Sequence, residues 1–111
     1  MNYEKPLKLL KDFPHKLNNF YNKNSKFSLK INNKSKNKKN FDPVTNLDKA
    51  FEKFIRNIIV KQFPKDAILG EEFLEKYSDN DFKWFIDPID GTRAFMVGAP
   101  TWSNLIGLTY K

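Results

Sequence analysis

Leu7, Leu10, Leu17, Phe20 and Tyr21 recur at helical spacing among lysines and asparagines, which predicts an amphipathic helix over about residues 2–22. Pro14 falls inside it and lacks a backbone donor, so a kink or a division is expected there. Phe27, Leu29 and Ile31 then alternate with polar residues as in a short strand, and residues 32–40, N-N-K-S-K-N-K-K-N, form a polar lysine-rich loop with nothing apolar to bury. A stronger helix opens at Asp42-Pro43-Val44-Thr45. Its apolar face carries Leu47, Phe51, Phe54, Ile55, Ile58 and Phe63, Thr45 and Asp48 have the spacing of an N-terminal cap, and Pro64 ends it. Two brief apolar strands follow, Ala67-Ile68-Leu69 and Trp84-Phe85-Ile86, separated by a polar loop that includes residues 77–81. The second is expected to stop at Pro88, which cannot donate to a sheet ladder. Arg93 to Met96 reads as a helical turn, Gly98-Ala99-Pro100 breaks the chain, and residues 102–110 alternate as a strand with Trp102, Ile106, Leu108 and Tyr110 near one face. The order is helix, strand, helix, strand, strand, helical turn, strand, an α+β pattern.

Candidate chemistry gathers at the end of the second apolar strand. Asp87 and Asp90 lie three positions apart on a stiff turn containing Pro88 and Gly91. Two carboxylates facing one pocket repel unless a cation lies between them, and a hard divalent ion such as Mg2+ suits two aspartates plus a carbonyl such as that of Ile89. The same residues also read as a strand end followed by a hairpin turn. The free N–H groups of a helix opening at Gly91-Thr92 would bind phosphate, which together with a metal pair is equipment for phosphate ester hydrolysis. Glu71 follows Gly70 at the end of the neighbouring strand, where it reads either as a solvent-facing turn residue or as a third carboxylate pointing toward Asp87. Asp48 is complete as a capping acid favoured by the helix dipole. His15, the one histidine, sits beside a proline on a lysine-rich helix and is read as a surface residue.

G-E-E at residues 70–72 and D-P-I-D-G-T at residues 87–92 together resemble the paired signatures of the inositol monophosphatase family of Mg2+-dependent, Li+-sensitive phosphatases. The continuation T-R-A-F-M-V-G-A-P-T-W-S-N-L-I-G-L resembles the branch acting on histidinol phosphate more than the inositol branch, and the likeness runs from about Asp42 to Tyr110. The resemblance implies the N-terminal part of a layered α/β/α/β/α sandwich. It implies Mg2+ held by Glu71, Asp87, Asp90 and the Ile89 carbonyl, with Asp90 shared between ions. Glu71 and Thr92 would orient the attacking water with help from Asp48, while Asp90, Gly91 and Thr92 would meet the substrate, and Arg93 reads either as a further positive charge at its rim or as a surface residue. The expected reaction is hydrolysis of L-histidinol phosphate, with inositol 1-phosphate as the alternative. The family domain is roughly twice as long, so a carboxyl-terminal half carrying another metal-binding aspartate is expected elsewhere. An inactive metal-binding fragment is therefore a second reading.

Composition adjusts this picture at the amino terminus. The net charge of +7 is uneven: residues 1–41 carry +9 and residues 42–111 carry −2. The chain accordingly divides into a lysine-rich segment, 1–41, and a motif-bearing segment, 42–111. Eighteen of the twenty basic residues are lysine, with no nucleic-acid motif, so a basic RNA-binding module is the third reading and nucleic acid is not the expected partner. The loop reads as a mobile solvated segment; by the resemblance it would instead close over the site, where Lys36, Lys38 or Lys39 would attract an anionic substrate. Cysteine is absent, no apolar run approaches the length of a membrane span, and no signal peptide is evident, which is compatible with the cytoplasm. The expected partners are a small phosphorylated substrate and either a complementary chain or a second copy, without a membrane.

Overall fold

The computed structural model describes residues 3–24, 31–33 and 43–111. Helix α1 (Glu4–Asn24) runs through Pro14 without division. Pro14 is exposed, while Phe13 and Leu17 on either side of it are anchored in the core, so one missing hydrogen bond does not part the helix. The buried stripe is Leu9, Phe13 and Leu17, and Leu7, expected on it, is exposed.

Two short strands, β1 (Ile31–Asn33) and β2 (Pro43–Thr45), pair antiparallel with Ile31 opposite Thr45. The pattern assigns Asn32 and Asn33 to a loop and Pro43 to a helix start; backbone pairing places all three in strands. The lysines Lys36, Lys38 and Lys39 lie outside the described residues, as do Phe27 and Leu29.

Helix α2 (Asn46–Gln62) begins at a full capping box. The Thr45 hydroxyl accepts from Asp48 N at 3.1 Å, and the Asp48 carboxylate accepts from Thr45 N at 2.7 Å. It buries Leu47, Phe51, Ile55 and Ile59, with Phe54, Ile58 and Phe63 partly buried beside them.

A three-stranded sheet follows in the order β3 (Ala67–Gly70), β4 (Phe82–Asp90), β5 (Ser103–Tyr110). β3 and β4 are parallel, with Gly70 opposite Ile86, and β5 returns antiparallel to β4. Ile68, Trp84 and Ile86 on the inner face join Leu9, Phe13 and Leu17 of α1 and Phe51, Ile55 and Ile59 of α2 in one core. Trp84 is fully buried; Phe13 meets it edge-on, Phe63 stacks at 5.9 Å, and its indole N–H donates to Asp66 Oδ2 at 2.9 Å. Along β5 the even-numbered residues from Asn104 to Leu108 are half-buried and their odd neighbours exposed. This is the alternation expected of a strand covered on one face.

Candidate active site

β4 does not stop at Pro88. It continues to Asp90 through a register shift in which Asp87 lies opposite Leu105 and Asp90 opposite Ser103. Three steps on β4 are thus matched by two on β5, so one extra residue is accommodated as a bulge. Proline is tolerated there because the ladder is already interrupted. Pro88 and Ile89 are consecutive and both buried, which breaks the alternation. The stranded Pro88 carbonyl accepts a hydrogen bond from the Asn104 side-chain amide.

The bulge determines where the aspartates face. In an unbroken strand, residues three apart point to opposite sides. Here Asp87 and Asp90 stand opposite Leu105 and Ser103, two exposed residues of the same face of β5. Glu71 continues β3 one residue past the Gly70–Ile86 pair, which brings it alongside Asp87. Glu71 and Asp87 line one opening of about 360 Å3 together with Leu69, Phe85, Leu105 and Gly107.

A second group lies beyond the bulge. Gly91 adopts φ +84°, and a Cβ there would sit 2.7 Å from the Thr101 carbonyl, so both backbone angle and space require glycine. It begins α3 (Thr92–Met96), whose start no side chain caps. The Thr92 hydroxyl reaches the Ile89 carbonyl at 3.0 Å and Asp48 Oδ1 at 3.3 Å. Asp48 is buried at 1% exposure and its Oδ2 is occupied by the cap, leaving Oδ1 toward Thr92. Capping acid and site residue are therefore compatible roles. Arg93 is exposed on α3.

The donor chemistry fits a hard divalent cation: carboxylates of Glu71, Asp87 and Asp90 share a face, and the Ile89 carbonyl lies in the bulge between the two aspartates. Asp87 Oδ1 is buried and takes no hydrogen bond, although the residue interacts elsewhere. Among the described residues no three acidic side chains stand close enough to grip an ion.

Two further residues belong to the site's framework and are not evident in the motifs. Asn104 holds the bulge, and Glu52, fully buried on α2, accepts hydrogen bonds from the backbone of Glu72 and Phe73 just past Glu71. Spacing signals both. Asn104 has the inward parity of Trp102 and Ile106, and Glu52 lies four residues after Asp48 and three before Ile55 on the apolar face.

Comparison with known proteins gives a family. The model of the inositol monophosphatase family matches residues 15–111. A histidinol-phosphatase of Chlorobaculum parvum is 46% identical over 71 residues, covering 64% of this chain and 27% of that protein. The Nus factor SuhB of Haemophilus influenzae is 45% identical over 71 residues, covering 63% and 27%. The crystal structure of an IMPase/NADP phosphatase complexed with Mg2+ and phosphate superposes with a TM-score of 0.80 at 21% identity, covering 96% of this chain and 40% of that one, a likeness of fold. The chain spans about a quarter of the length of the curated relatives it matches.

Proposed function

The chain belongs to the inositol monophosphatase family, and from that premise we propose that it supplies the metal-carboxylate part of a phosphatase that hydrolyses a small phosphate monoester, L-histidinol phosphate ahead of inositol 1-phosphate. The observation that carries this reading is the β4 bulge, which turns Asp87 and Asp90 onto the face that Glu71 shares.

In this reading Glu71, Asp87, Asp90 and the Ile89 carbonyl hold Mg2+. The cation supplies Lewis-acid stabilisation of phosphoryl charge and lowers the pKa of water near it. Thr92 has one hydroxyl proton, which it donates to Ile89 O or Asp48 Oδ1. Its oxygen lone pairs then remain to accept a hydrogen bond from the attacking water. Asp48, fixed by its cap bonds to Thr45, holds that hydroxyl in orientation. The water oxygen bonds to phosphorus as its proton passes to Glu71 and the P–O ester bond breaks, and the alcohol leaves with a proton from solvent. The backbone at Gly91 and Thr92 receives phosphate oxygens; α3 has only five residues, so individual N–H groups rather than a helix dipole do this work. Arg93 adds positive charge at the rim.

L-histidinol phosphate is placed first because a histidinol-phosphatase is 46% identical over the matched segment and the T-R-A-F-M continuation resembles that branch. Among the described residues no helix is long and apolar enough to cross a membrane. We place the enzyme in the cytoplasm, with a complementary chain or a second copy as its protein partner. The substrate test measures phosphate released from L-histidinol phosphate and from inositol 1-phosphate in Mg2+. Preferential release from the former is expected, and preference for the latter would overturn the substrate assignment.

A further inference from the structure

Glu52 is a carboxylate at 0% exposure in the middle of α2, and its bonds lead to the turn that follows β3. Oε1 accepts from Glu72 N at 2.8 Å, and Oε2 accepts from Phe73 N at 3.1 Å and from Arg56 Nε at 2.9 Å. Arg56 in turn donates to the Phe73 carbonyl at 3.2 Å. The Glu52–Arg56 pair therefore engages both the N–H and the C=O of Phe73. The carboxylate lies against Gly70 so closely that a Cβ there would come within 2.5–2.6 Å of its Cδ and both oxygens. Gly70 is the last residue of β3, and Glu71 is the residue between that seat and the two bound amides.

Burying a carboxylate is costly, and a cap or surface pair does not require it. Hydrogen bonds from Arg56 and from the Glu72 and Phe73 amides compensate this cost, and the close contact with Gly70 lies on the other side of Glu71. We propose that Glu52 is a positioning residue for Glu71: by binding the two backbone N–H groups just after Glu71 and packing against Gly70 just before it, Glu52 fixes the direction in which the Glu71 carboxylate leaves the end of β3 toward Asp87 and the cation. The inference rests on the metal-carboxylate reading above. The clamp acts through the backbone, so Glu52 itself touches neither metal nor substrate. Residues that orient a metal ligand from behind typically alter metal affinity about 10–100-fold when replaced.

The test uses Mg2+ alone as the probe in calorimetric titrations of the parent protein, Glu52→Gln, Glu71→Gln and the double variant. Amide hydrogen exchange at Glu72 and Phe73 is followed by NMR in the absence of metal. Glu52→Gln should weaken Mg2+ binding about tenfold and speed exchange at both amides. In the Glu71→Gln background the same change should have little further effect on Mg2+ affinity, because its action runs through Glu71. Equal Mg2+ affinity of parent and Glu52→Gln, additive losses in the double variant, or unchanged exchange at Glu72 and Phe73 would each overturn the proposal. If the parent itself binds no Mg2+, the metal-carboxylate reading fails, and the positioning role toward a cation fails with it. The exchange arm separates that result from a failure of the clamp. Should Glu52→Gln not fold, Arg56→Gln, which removes one arm of the clamp from a more exposed position, should produce the same pattern in smaller degree, and its absence would count against the proposal.

Discussion

Asp87 and Asp90 face the same side of the sheet although they are three residues apart in one strand, because their partners on β5, Leu105 and Ser103, are only two apart. The bulge at Pro88-Ile89 absorbs the difference and turns both carboxylates onto the face where Glu71 leaves β3.

Asn104 meets the bulge, where its side-chain amide satisfies the Pro88 carbonyl. Asn104→Leu keeps the branched shape of the side chain and removes the donor, leaving a carbonyl without its partner next to the core. Loss of about 1–3 kcal/mol of stability is expected, read as a shifted midpoint in denaturant titration. An unchanged midpoint would show that the bulge is held by the sheet alone.

Gly70 is required by its contact with Glu52 rather than by its backbone angle. A methyl group there would meet a carboxylate tied by three hydrogen bonds, so the acid must give up bonds to move. Gly70→Ala is expected to cost about 1–3 kcal/mol, measured by thermal or denaturant unfolding. Combining it with Glu52→Ala, which removes the obstacle, should cost less than the sum of the two single changes.

Thr92 separates orientation from binding. Thr92→Val keeps the shape and loses the hydroxyl shared by Ile89 O and Asp48 Oδ1. Turnover should fall about 100-fold with KM little changed, a loss in the range found for positioned proton-handling groups. Thr92→Ser should retain most activity. Steady-state kinetics on both variants checks this, and parent-like kcat in Thr92→Val would remove Thr92 from the reaction.

How much of this was legible in the chain follows from the range of each interaction. The cap at Thr45 and Asp48 spans three residues and is written in the sequence, as are the apolar face of α2 and the alternation of β5. The bulge is not. Proline after Asp87 reads as the end of a strand, and only the pairing with β5 shows that the strand resumes. β2 was hidden because three residues carry too little pattern to distinguish a strand from a helix start. Glu52 reads locally as one more charged helix residue, since its backbone partners lie 20 and 21 positions away. Its place on the apolar face was the one available signal. The motifs thus mark which carboxylates matter, and the long-range contacts decide how they are aimed.

The most direct test of the account is phosphate release from L-histidinol phosphate by the protein and by Asp87→Asn and Asp90→Asn, each measured with and without Mg2+. The account predicts release that requires Mg2+ and is lost in both variants. Release independent of Mg2+, or parent-like turnover in either variant, would contradict it, whereas absence of release would place the remaining residues of the site on a complementary chain.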